Sequence, residues 1–136
     1  MARILLIDDD ARILRVIEIA LQRLGHEIRK AGGLESGLAA AAVFAPDLIV
    51  SDVMMPSGTE GFDLVRALRA SDDPTLRDVP IIMATAVHDF SPLSFNSEET
   101  GPVDAEGNPL PVQGWIDKPI DLDELFTKVA NLTADG

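Results

Sequence analysis

Cysteine is absent from all 136 residues, which excludes a disulfide framework, a thiolate zinc site and a cysteine nucleophile. Positive charge is scarce, with 11 Lys and Arg against 23 Asp and Glu for a formal net charge of −12. Such a balance repels phosphate backbones and leaves no basic stripe, so direct nucleic-acid binding is not expected. Long apolar runs are missing too. The run Ile4 to Ile7 is too short for a signal segment or a membrane span, and Asp8, Asp9 and Asp10 follow it directly. These absences point to a soluble, cytoplasmic protein with no membrane partner. What the chain does have is 46% hydrophobic residues, enough to fill one core without a metal or disulfide staple, and a single domain over 1–136 is expected.

Apolar runs of strand length alternate with segments of helical period, the pattern of an α/β protein with a parallel sheet. Arg3 to Ile7 reads as a buried strand. Ile13, Val16, Ile17, Ala20, Leu21 and Leu24 then recur at helical spacing until Gly25 offers a stop. Glu27 to Ala31 is a polar strand suited to a sheet edge, and Leu34 to Phe44 is an alanine-rich helix closed before Pro46. Asp47 to Ser51 carries a continuous apolar run, as a central strand covered on both faces requires. Phe62, Leu64, Val65 and Leu68 mark a third helix ending near Ala70, and Pro80 to Ala84 a fourth strand. Trp115 to Asp117 and Asp121 to Asn131 supply the last strand and helix, with Leu122, Leu125, Phe126 and Val129 facing inward. Between Ala86 and Gly114, Pro92, Pro102, Pro109 and Pro111 with Gly101 and Gly107 forbid a regular helix over most of the stretch.

In such a sheet a ligand binds at the carboxyl ends of the central strands. The first strand ends in Asp8, Asp9 and Asp10, the third in Ser51 and Asp52, the fourth in Thr85, and the fifth in Asp117, Lys118 and Pro119. Clustered carboxylates need a counter-charge, and Mg2+ with oxygen ligands is the simplest supplier. Because Mg2+ prefers one or two carboxylates plus phosphate oxygens, the expected substrate is a phosphoryl group. Lys118 can neutralise one phosphoryl oxygen and Thr85 can hydrogen-bond another, which leaves Asp52 as the nucleophile. Singly, an Asp after a strand is more often a helix cap, and Asp10 reads as the cap of the first helix rather than as part of the site.

The stretches Ile7-Asp8-Asp9-Asp10, Pro46 to Pro56, Thr85-Ala86 and Trp115-Ile116-Asp117-Lys118-Pro119 together resemble the signatures of response-regulator receiver domains of two-component signalling. The resemblance covers nearly the whole chain. It implies a flavodoxin-like, doubly wound, five-stranded parallel sheet of order 2-1-3-4-5. It further implies a phosphorylatable switch that takes a phosphoryl group on Asp52 from a sensor histidine kinase or phosphotransfer protein and signals through a downstream effector protein. Mg2+ would be held by Asp9, Asp52 and the backbone carbonyl of Met54, with Asp8 acting mainly through water. Lys118 would pair with the phosphoryl group, and Thr85 and Trp115 would respond to it as a switch. The chain would catalyse only its own phosphorylation and dephosphorylation, and the resemblance leaves room for a homodimer.

Two departures stand out. The turn after Asp52 is longer than usual in the family, and Thr85 to Trp115 spans more residues than usual, so the fourth helix is expected to be shortened or replaced. We read Phe90 to Val112 as a partner surface specific to this chain. Met54 and Val87 stand where the family borders the path of hydrolytic water, and as apolar groups they should slow loss of the phosphoryl group. Competing readings are a haloacid-dehalogenase-type phosphatase, disfavoured because Arg12 stands where that family has Thr or Val, and a pseudo-receiver with a vestigial pocket. With the chain ending at its last helix, output is expected to pass through a partner.

Overall fold

A computed structural model describes residues 2–52, 60–85, 112–117 and 120–133 of the chain. Five strands form one parallel sheet: β1 (Arg3–Ile7), β2 (Glu27–Ala31), β3 (Leu48–Asp52), β4 (Ile81–Thr85) and β5 (Gly114–Asp117), in the order β2-β1-β3-β4-β5. The helices are α1 (Ala11–Arg23), α2 (Leu34–Phe44), α3 (Glu60–Arg69), α4 (Pro74–Arg77) and α5 (Leu122–Thr133). Fold class and strand order are those expected from the sequence.

Burial explains the order. Every residue of β3 is buried, as a strand between two neighbours and two helical layers must be, whereas four of the five residues of β2 are at least partly exposed, as an edge allows. Alternation along the strands splits the apolar residues into two layers. Leu5, Ile7, Ile49, Ile81 and Met83 face α2 and α3 through Ala41, Phe44, Leu64, Val65 and Leu68. Ile4, Leu6, Leu48, Val50, Ile82 and Ala84 face α1 and α5 through Leu14, Ile17, Leu21, Leu125 and Val129. Gly37 lets α2 approach β1, since a Cβ there would stand 2.9 Å from Cδ1 of buried Ile7. At the end of α1, Gly25 takes φ +94, a left-handed conformation that glycine adopts without strain.

Two features of the chain differ from the sequence reading. The first is α4, which lies between Ala70 and Pro80 where no element was expected. Its start is capped by Asp73, whose carboxylate accepts the Thr75 N–H at 2.9 Å, and Pro74 occupies the first helical position, where its missing N–H costs nothing. The second is the apolar stripe of α1: Val16 is 55% exposed and Leu24, the C-cap that follows the helix, 53%, although both fit the apolar period. The expected shortening of the helix between β4 and β5 falls on residues 86–111 and lies outside the described residues.

Candidate functional site

The register of the central strands builds the site. Ile7 of β1 lies opposite Ser51 of β3, so the next residue of each chain, Asp8 and Asp52, emerge side by side at the carboxyl edge on the α1 and α5 face. Asp9 joins them. Carboxylate oxygens of Asp8, Asp9 and Asp52 all lie within 4.8 Å of one another. Asp8 is 5% exposed and Asp52 4%, while Asp9 reaches solvent. Asp8 is fixed from both sides: its N–H donates to the Ala31 carbonyl at 3.1 Å, and its Oδ1 accepts the Asp10 N–H at 2.9 Å. Next to Asp52, the buried Ser51 hydroxyl donates to the Asp52 carbonyl at 3.1 Å.

Below the carboxylates the packing is apolar and tight. Leu14, Ile17, Val50, Ala84 and Ile120 enclose a void of about 10 Å³ under Asp8 and Asp52, roughly the volume of one water molecule. Three converging carboxylates, one of them exposed, are an oxygen donor set that could hold a hard cation such as Mg2+. The residues present fit that ion.

The structure thus brings together Asp8, Asp9 and Asp52. It also assigns Asp10 the work expected of it, since its Oδ1 accepts the N–H groups of Arg12 at 2.9 Å and Ile13 at 3.4 Å as the N-cap of α1. Ala84 pairs with Asp52 and Thr85 with Asp117, which sets the backbone of Thr85 at the same edge of the sheet. Met54, Lys118 and the side chain of Thr85 lie outside the described residues, as do Phe90 to Pro111 and Val87. Trp115 pairs with Met83 and packs half-buried on the core of the α2 and α3 face, across the sheet from Asp52.

One feature beside the site was not evident from the sequence. An open groove of about 500 Å³ runs between the first turns of α1 and the residues leading into α5. Ile13, Val16, Ile17, Ile120 and Leu122 line it, with Asp10 and Arg12 at its rim. A helical period alone cannot separate an apolar side chain that packs inward from one that is held at the surface, and Val16 belongs to the second kind.

Residues 4–130 match the family model described as response regulator receiver domain. Response regulator PleD of Caulobacter vibrioides is 37% identical over 132 residues, covering 97% of this chain and 26% of that protein. Phosphate regulon transcriptional regulatory protein PhoB of Pseudomonas aeruginosa is 34% identical over 126 residues, covering 93% of this chain and 49% of that protein. The chain therefore spans half or less of the length of these relatives. Among solved structures, the chemotaxis response regulator CheY4 of Vibrio cholerae superposes with a TM-score of 0.76 at 30% identity, over 97% of this chain and 98% of that one. Parallel strand order, the acidic pocket at its carboxyl edge and the sequence match lead to one conclusion: the chain belongs to the response regulator receiver domain family.

Proposed function

We propose that this receiver domain works as a phosphorylatable signalling switch with Asp52 as its phosphoacceptor, charged by a histidine kinase or phosphotransfer protein. The observation that carries the reading is the juxtaposition of Asp8, Asp9 and buried Asp52 at the carboxyl edge of the central strands. Asp9 and Asp52 would hold Mg2+ directly, Asp8 through water, and the Met54 carbonyl would complete the protein's ligands. When bound, the ion offsets the repulsion among the carboxylates and draws charge from the phosphoryl oxygens.

Every other part of the chemistry belongs to the chain. Asp52, held at the end of a fully buried strand, presents one carboxylate oxygen to phosphorus along a fixed line. The apolar floor leaves room for no more than about one water molecule beneath Asp52. Lys118 would take up charge on the phosphoryl group and the Thr85 hydroxyl would hydrogen-bond it, with Trp115 repacking as Thr85 moves. In this reading the chain catalyses only its own phosphorylation and dephosphorylation, acts in the cytoplasm, and passes its state to a downstream protein. The groove of Ile13, Val16, Ile120 and Leu122 borders the pocket and supplies an apolar landing surface for the donor protein.

Intact-mass analysis with acetyl phosphate tests the reading. A single phosphoryl adduct is expected with Mg2+ present and none after chelation or in Asp9→Ala. An adduct that forms equally well without a divalent ion would contradict it.

A further inference from the structure

At the opposite, amino edge of the sheet, one side chain stands where backbone would be expected. Both polar backbone groups of Ile81 point toward β5. Its carbonyl accepts the Gln113 N–H at 2.9 Å, and its N–H, which in a continued ladder would meet a carbonyl of the neighbouring strand, donates to the side-chain Oε1 of Gln113 at 2.9 Å. The same Oε1 accepts from Nη2 of Arg69 at 3.0 Å. Arg69 is itself held at the end of α3, with Nη1 donating to the carbonyls of Arg77 and Val79, both at 2.8 Å. One guanidinium and one amide therefore tie α3, α4, β4 and the start of β5 together.

β5 needs such a tie. It has four residues and, among the described residues, forms an edge of the sheet paired with β4 alone. Its alternation, with Trp115 on the α3 side and Ile116 on the α5 side, forbids a slip of one residue but not of two. Gly114 gives no steric stop, because a Cβ there would meet Ile82 at 3.5 Å and Leu132 at 3.9 Å, ordinary contact distances. Gln113 adds a directional stop. A slip of two residues in either direction would bring Pro111 or Trp115 opposite Ile81, and neither side chain carries an acceptor.

We propose that Gln113, held by Arg69, is a positioning residue for phosphorylation of Asp52. It sets the axial position of β5, and so of the Asp117 backbone opposite Thr85, the residue that precedes Lys118 in the sequence. The proposal rests on the function given above, and its test keeps the two apart.

Trp115 is the only tryptophan, so its fluorescence reports on β5 directly. Full-length wild type, Gln113→Leu and Gln113→Glu are compared for the rate of adduct formation with acetyl phosphate and Mg2+, and for the Trp115 emission before and after. Leucine fills the space without an acceptor; glutamate keeps the acceptor for both donors. Gln113→Leu should be phosphorylated about fivefold more slowly, the equivalent of one ordinary hydrogen bond, with altered Trp115 emission, and Gln113→Glu should restore both. Should the leucine variant not fold, Gln113→Asn, which draws the amide back by one methylene, should show the same direction of change. A wild type that takes the phosphoryl group while the variants match it in rate and emission overturns the positioning role alone. A wild type that takes none overturns the function on which the role depends.

Discussion

Asp8, Asp9 and Asp10 are consecutive and chemically identical, and their surroundings divide the work among them. Asp8 is buried and held by two backbone hydrogen bonds, Asp9 is exposed at the pocket, and Asp10 caps α1. Asp10→Ala should cost about 1 kcal/mol of stability, the usual value for a lost cap, and leave Mg2+ affinity unchanged. Asp9→Ala should do the reverse, weakening Mg2+ binding by at least about tenfold with little change in the denaturation midpoint. Calorimetric titration and urea unfolding on both variants check this, and equal loss of metal binding in the two would show that the division is wrong.

A second prediction at this scale concerns His26. The Ala2 N–H donates to its Nδ1 at 3.1 Å, which requires that nitrogen to be unprotonated. Burial first, and the positive chain terminus second, hold the imidazole pKa below its ordinary value of 6.5. The unfolded chain therefore binds the proton more readily than the folded one. The stability His26 contributes is fully present above pH 6.5 and is lost as pH falls through the lower folded-state value. Urea midpoints measured from pH 8 downward should fall more steeply for wild type than for His26→Gln. Parallel curves would remove His26 from the account.

At the scale of elements, α1 serves two surfaces. Leu14, Ile17 and Leu21 are buried in the core, while Val16 is 55% exposed in the groove beside the pocket. Val16→Asp should slow phosphoryl transfer from a protein donor, by roughly tenfold if the contact is worth about 1.4 kcal/mol at the interface, and leave transfer from acetyl phosphate unchanged. A small-molecule rate that falls equally would place Val16 in the core instead. Elements also show how far the sequence could be read. β1, β2 and α2 have the bounds that periodicity predicts, because each carries both a burial pattern and a clear stop. α4 has neither a core stripe nor length, and only its Asp73-Pro74 start marked it. The Arg69–Gln113 tie was beyond reach, since its partners are 44 residues apart and no local pattern joins them.

For the whole molecule, strand order decides what becomes a site. Asp8 and Asp52 are far apart in sequence and adjacent only because β1 and β3 pair in parallel with Ile7 opposite Ser51. The pairing itself followed from the family resemblance and its strand order, whereas that the aspartates end strands at one edge was legible from the apolar runs, since a doubly wound sheet gathers strand ends there. Which carboxylate is buried and which is exposed was not, because burial depends on Leu14, Ile17 and Ile120 closing beneath them. The net charge of −12 is likewise informative only where the fold concentrates it, at Asp8, Asp9 and Asp52.

The most direct measurement of the central claim is the intact mass of wild type and Asp52→Asn after incubation with acetyl phosphate and Mg2+. The account predicts one phosphoryl adduct on the wild type and none on the variant, with both proteins folded. An adduct of equal yield on Asp52→Asn would contradict it.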